Sequence, residues 1–171
     1  MQPLDIVLWP DPALLTPTKR IEAVDADLRH VVGEMRRALF ESRGVGLAAP
    51  QVGIGRRLVL VCPSGEPGDE QVVLNPQILS TQGRAVGEEG CLSFPGIYGR
   101  VPRAETVRVR YRDLDWRERE LVLVDFVARV FLHEFDHLDG KLFIDVMLPE
   151  SRARIEPRLE ELRQRHAARS A

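Results

Sequence analysis

The chain has 171 residues, 44% of them hydrophobic, enough to bury one sizeable core and too few for two. Its net charge of −2 excludes a general nucleic-acid binder, and no DNA partner is expected. Two cysteines leave no disulfide framework. With no secretory segment, no transit peptide and no apolar run of about 18 residues, the chain is expected in a reducing cytoplasm, off the membrane, its fold starting with its first residues.

Taken in order, the elements point to an α+β arrangement. Asp25 is placed to cap a helix running to about Ser42, because Leu28, Val31, Val32, Met35 and Leu39 recur on one face. Short apolar runs at 58–62 and 72–74 read as strands, and Cys62, which closes the first, reads as core. Further on, Val107, Val109 and Tyr111 alternate with Arg108, Arg110 and Arg112, the pattern of a half-exposed strand, with 121–124 as its buried partner. A run without proline or glycine then continues as helix through His137, and a last helix follows Pro149 to about Ala168. His30 and His166 read as surface residues.

Residues 133–137 carry the chemistry: His-Glu-Phe-Asp-His, an HExxH motif. Four helical residues turn through about 400°, so His133 and His137 share a face and two ring nitrogens can meet one metal ion. Glu134, beside the first histidine, can take a proton from water without being a ligand. A catalytic divalent metal generally has three protein ligands. In the extended motif HExxHxxGxxH, Gly140 fits but Phe143 stands where the third histidine belongs. Glu156 sits among Arg152, Arg154 and Arg158 on a solvated segment, and Asp136 and Asp139 point off the two-histidine face. The remaining candidates lie upstream, in Glu-Gly-Cys-Leu-Ser at 89–93. On this motif alone, a metalloprotease cutting internal peptide bonds is a second reading.

Three segments stand in a fixed order: GVGLAAPQ at 44–51, EGCLS at 89–93 and HEFDHLDG at 133–140. Trp-Pro-Asp-Pro at 9–12, Val-Pro-Arg-Ala at 101–104 and Leu-Phe-Ile-Asp at 142–145 flank them. In these the chain resembles the peptide deformylase family, from about residue 6 to about residue 148. The resemblance implies antiparallel β-sheets wrapped around a central HExxH helix, with an N-terminal and a C-terminal helix. Residues 1–171 would form one catalytic domain, 149–171 being its C-terminal helix. The implied activity removes the N-formyl group from the initiator methionine of nascent polypeptides and releases formate. Cys91 would join His133 and His137 around one divalent metal, Fe2+ natively, with Zn2+, Ni2+ or Co2+ accepted by the same donors. Glu134 would be the acid and base, and the Gln51 amide and Leu92 backbone N–H would face the oxyanion. A peptide would pair with the glycine-containing segment at Gly44, Val45 and Gly46. Val45, Phe126 and Val130 would wall the methionine side chain, and Glu89 with Arg103 would support the metal loop. The implied partners are formyl-Met peptides, taken by a monomer. Six arginines against three glutamates from 151 onward add a ribosome contact through the last helix.

Several positions depart from the family pattern. Leu132 stands where glutamine is usual, Tyr98 where an arginine helps hold the peptide, and Asp115-Trp116 where a hairpin carries Asp-Gly. Asp125 replaces a glycine and is expected to N-cap the metal helix. A paralogue with altered substrate or lost activity is the reading these changes allow. Gln51 has a structural alternative, capping its own turn. The GVG segment is no dinucleotide loop, since Ala49 occupies the place of the third glycine.

Overall fold

The computed structural model describes residues 4–170. Helix α1 (Ala26–Glu41) begins at Asp25, whose carboxylate accepts the Leu28 N–H at 2.7 Å. Its buried stripe is Leu28, Val31, Val32, Met35 and Leu39, as the periodicity requires. Replacing Asp25 by alanine is expected to cost about 1 kcal/mol, read as a lower urea midpoint at unchanged slope.

Seven strands follow: β1 (Gly46–Ala48), β2 (Leu58–Val61), β3 (Gln71–Gln82), β4 (Ala85–Cys91), β5 (Phe94–Arg103), β6 (Thr106–Arg112) and β7 (Glu118–Val124). Five form an antiparallel sheet in the order β1-β2-β3-β6-β7, while β4 and β5 form a separate hairpin. Helices α2 (Asp125–Leu138), α3 (Phe143–Val146) and α4 (Pro149–Ser170) complete the fold. Leu47, Leu58, Leu60 and Leu74 share a core cluster with α1. Ala48, Val59, Val61, Val73, Val107 and Val109 share another with Ala128, Phe131, Leu132 and Leu138 of α2. Strand β2 is therefore covered on both faces, which accounts for its unbroken Leu-Val-Leu-Val.

Four expectations change. Strand β3 runs well past 72–74, crossing Asn75-Pro76 with a register shift. Asn75 takes a left-handed backbone (φ 50°), and its amide brackets Ile21, accepting the N–H at 2.9 Å and donating to the carbonyl at 2.8 Å. Strand β7 is an edge, not a buried partner, and Val122 is 62% exposed. Its Leu121 and Leu123 face inward, but nothing described covers its other face. Asp125 does not cap α2 through its side chain. It sits at φ 50°, its N–H donating to the Glu105 carbonyl at 2.7 Å, because the chain must swing from extended Val124 into the helix there. This is the left-handed turn that glycine makes with least strain. His166 is half-buried and engaged with neighbours rather than a plain surface residue, whereas His30 is exposed. Asp115-Trp116 lies in the loop joining β6 to β7: Trp116 sits at φ 63°, and the Asp113 carboxylate accepts the Asp115 and Arg117 N–H groups.

Helix α4 is docked. Ile155, Leu159 and Leu162 pack with Trp9, Phe94, Ile97 and Phe143, and the Arg163 guanidinium lies 5.0 Å from the Trp9 ring centre. Phe94 opens β5 just beyond Cys91, so this cluster steadies the loop that carries the cysteine. Among the described residues no helix is long and apolar enough to cross a membrane.

Candidate active site

Cys91 ends β4, where the pairing with β5 shifts register and the Leu92-Ser93 turn begins. His133 and His137 stand one turn apart on α2. The three side chains offer donor atoms that lie within 4.8 Å of one another, and Cys91 Sγ is 3.4 Å from His137 Nε2. His133 turns its Nδ1 to Glu89 Oε2 at 2.9 Å, which leaves Nε2 for the cluster. Burial, aided by the His133 charge, holds His137 well below its ordinary pKa and keeps it neutral. Burial would also push His133 down, but Cys91 and Glu89 outweigh it and the group is shifted well up. One thiol and two imidazoles fit a tetrahedral divalent metal with one open position.

Glu89 is buried and serves four donors. Arg103 reaches it twice, Nε to Oε1 at 2.9 Å and Nη2 to Oε2 at 3.1 Å, Arg129 Nη1 donates to Oε1 at 2.8 Å, and His133 takes Oε2. Burial alone would raise the Glu89 pKa, but the hydrogen bonds of His133 and Arg103 overcome it and bring the value to about 2. Arg103 also pairs with Asp136.

Glu134 is buried, and its Oε2 has no hydrogen-bond partner among the described residues. Burial first, then the Glu89 charge, lift its pKa to about 7 against the pull of His133 and Arg103. Gly46 faces it closely: a Cβ there would lie 2.6 Å from Glu134 Oε1, so the strand approaches only because position 46 lacks a side chain. Gln51 does two things at once. Its Oε1 accepts the Ala48 N–H at 2.8 Å, capping the local turn, and its Nε2 lies 3.4 Å from Cys91 Sγ.

Two cavities open over this cluster. A cleft of about 380 Å³ runs between Gly44 and Gly46 on one side and Leu92 and Tyr98 on the other, with His133 and Glu134 among its lining. β1 is an edge strand of the main sheet, so its outer side is available for pairing. A smaller cavity of about 140 Å³ is lined by Val45, Phe126, Val130 and Arg129, again reaching His133 and Glu134.

The family model for polypeptide deformylase matches residues 3–153. The chain belongs to this family. It is 43% identical to the peptide deformylase of Alkalilimnicola ehrlichii over 161 residues, covering 93% of this chain and 90% of that one. It is 41% identical to the chloroplastic/mitochondrial peptide deformylase 1B of Arabidopsis thaliana over 167 residues, 96% of this chain and 61% of the plant protein. The crystal structure of the Plasmodium falciparum peptide deformylase superposes with a TM-score of 0.93 at 36% identity, covering 95% of this chain and 97% of that one.

In this deformylase the residues assigned from sequence to metal, catalysis and substrate lie at or beside the two cavities. Cys91, His133, His137, Glu134 and Gln51 form the cluster, Gly44, Val45, Gly46 and Leu92 border the cleft, and Phe126 and Val130 line the smaller cavity. Glu89 pairs with Arg103; Arg129, which nothing in the motifs singles out, joins them, and Asp136, considered from sequence only as a metal ligand, pairs with Arg103 instead. Arg129 stands four residues before His133 on the same helical face, a spacing that would have flagged it. Asp136 carried no such signal, being recognisable only once Arg103 is known to lie beside it. Leu132 points into the apolar cluster between α2 and the sheet, so the change from glutamine places no altered group in the cleft. Tyr98 is 60% exposed, and its ring crosses Gly90 so closely that a Cβ at 90 would come within 2.5 Å.

Proposed function

We propose that this deformylase hydrolyses the formamide bond of formyl-Met peptides at the Cys91–His133–His137 cluster, with residues 1–171 acting as one catalytic domain and α2 as its metal-binding helix between the sheets. The observation that carries the reading is the convergence of three donor atoms within 4.8 Å beside the buried Glu134 carboxyl. Cys91, His133 and His137 would hold the divalent ion, natively Fe2+, with Zn2+, Ni2+ or Co2+ as substitutes. Bound there, such an ion supplies a Lewis acid and lowers the pKa of water toward about 7. The peptide adds as a strand to the free edge of β1 across Gly44–Gly46, and its first side chain enters the cavity walled by Val45, Phe126 and Val130. Glu134 takes the proton of the attacking water and returns it to the departing amine; burial lifts its carboxyl above the ordinary carboxylate range, which suits a group that must do both. Gln51 Nε2 and the Leu92 backbone N–H donate to the oxyanion, each worth about 3 kcal/mol of barrier. Glu89, fixed by Arg103, holds the His133 ring in its ligating orientation.

Formate release from a formyl-Met peptide, by protein prepared without oxygen and analysed for metal, tests this reading beside a casein digest. Rapid release without casein cleavage is expected. Fully metallated protein that releases no formate would instead favour a paralogue with another acyl substrate, and casein cleavage would favour a protease.

A bacterial cytoplasmic location and a monomeric state fit the same reading. So does a ribosome contact through the exposed arginines of α4. Because Ile155, Leu159 and Leu162 belong to a core cluster, deleting the helix would disturb the fold, and charge reversal is the cleaner test. Arg154→Glu with Arg165→Glu is expected to weaken co-sedimentation with ribosomes at unchanged peptide turnover. Equal co-sedimentation would remove the contact.

A further inference from the structure

Arg129 leaves α2 one turn before His133 and crosses to the β4–β5 hairpin. Its Nη1 donates to Glu89 Oε1 and to the Val101 carbonyl, both at 2.8 Å, and its Nη2 to the Ala85 carbonyl at 2.9 Å. Three acceptors on two strands hold a planar guanidinium in one orientation, and the side chain is only 13% exposed. It behaves as a wall of the fold, unlike the solvated arginines of β6.

That wall stands on Gly87. A Cβ at position 87 would lie 2.9 Å from both Cζ and Nε of Arg129, so the guanidinium sits where it does because position 87 has no side chain. Arg129 lines the smaller cavity and Gly87 does not, so the Arg129 side chain, its guanidinium seated on Gly87, stands between the strand and the space. Of the other lining residues, Glu88, Glu89 and Gly90 belong to β4 and His133 and Glu134 to the cluster, while Val45, Phe126 and Val130 are the apolar walls, Phe126 being 55% exposed. They can yield by small rotations. Arg129 yields only by breaking charge-assisted hydrogen bonds to Glu89 and hydrogen bonds to two carbonyls.

We propose that the Gly87–Arg129 pair determines which first-residue side chains this deformylase accepts, the immobile guanidinium limiting their length. The proposal rests on the reading of the smaller cavity as the seat of the substrate's first side chain. An unbranched apolar chain of methionine's length fits against the wall. A chain longer by two methylenes has to displace the guanidinium and forfeit its hydrogen bonds. Arg129 touches no reacting atom in this account; it acts through the shape of the cavity.

The test compares kcat/KM for peptides beginning with formyl-norvaline, formyl-methionine and formyl-2-aminooctanoate, using the metallated wild type, Arg129→Ala and Gly87→Ala. In Arg129→Ala the ratio of 2-aminooctanoate to methionine is expected to rise on the order of 10-fold or more, chiefly through KM, as expected for one or two methylenes in an apolar pocket. In Gly87→Ala the displaced guanidinium narrows the cavity, and methionine is expected to lose several-fold against norvaline. A merely structural role would lower all three substrates together and leave the ratios alone. Ratios within about twofold of wild type in both variants would overturn the inference, and Gly87→Ala decides alone if Arg129→Ala does not fold. A wild type that releases no formate from any of the three overturns the deformylase reading itself, whereas release with constant ratios overturns only the role of the pair.

Discussion

Replacing Glu134 by glutamine is expected to lower formate release by about 10³- to 10⁴-fold while the bound metal stays near the wild-type amount. The carboxyl is not among the three clustered donors, so the ligands remain, and glutamine keeps the volume facing Gly46. What is lost is a group that can both take and return a proton. In the wild type, turnover is expected to fall as pH drops through the Glu134 pKa, because only the ionised form accepts a proton; a nearby cation places that limb below the metal-free value of about 7. The same substitution has an opposite effect on the metal-free fold. Burial raises the Glu134 pKa from 4.5 to about 7, so the folded chain binds this proton more tightly than the unfolded chain. Its contribution is fully present below 4.5 and is lost as pH rises to about 7. Metal-free Glu134→Gln is therefore expected to be more stable than metal-free wild type at pH 8, by up to about 3 kcal/mol. Denaturant unfolding of both forms measures this, and equal midpoints would contradict the buried, uncompensated carboxyl.

Glu89→Ala is expected to be the most damaging substitution to the fold, costing about 3–5 kcal/mol. Arg103 is buried and would keep only Asp136, while Arg129 and the His133 ring would each lose a partner. With His133 no longer oriented, metal affinity should fall by about 10- to 100-fold, measured by competition with a chelating dye. The wild type should reveal the same network in acid. Because the Glu89 pKa is depressed from 4.5 to about 2, its stabilisation is complete above 4.5 and is lost as pH falls toward 2. The variant should lack that acid-sensitive component. Unchanged stability and metal affinity in Glu89→Ala would remove Glu89 from any supporting role.

Much of this was legible before folding. Asp25 and the stripe from Leu28 to Leu39 mark α1, because caps and helical faces depend on neighbours a few residues apart. The HExxH spacing places both histidines on one side of α2 for the same reason. The β4–β5 hairpin escaped, since Ala-Val-Gly-Glu-Glu-Gly-Cys lacks the apolar alternation that announces a strand. Its stability comes from elsewhere: Phe94, Ile97 and Val101 pack beneath α4, and Arg129 ties Ala85 and Val101 to α2. The exposed β7 was misread because an apolar run looks the same whether its second face meets a helix or water.

The sequence by itself determined which groups this protein brings to its chemistry, a cysteine, two histidines one helical turn apart and a carboxylate beside them, and it determined the helices that obey local rules. Only the tertiary structure decided what those groups become. Glu89 meets donors 14, 40 and 44 residues away, so its acidity is set by convergence across the chain. Gln51 caps its own turn and faces the cysteine because its two amide atoms point at partners 3 and 40 residues distant. Burial and long-range charge govern these properties, and neither exists until the sheet, the hairpin and α2 have closed around the same few ångströms.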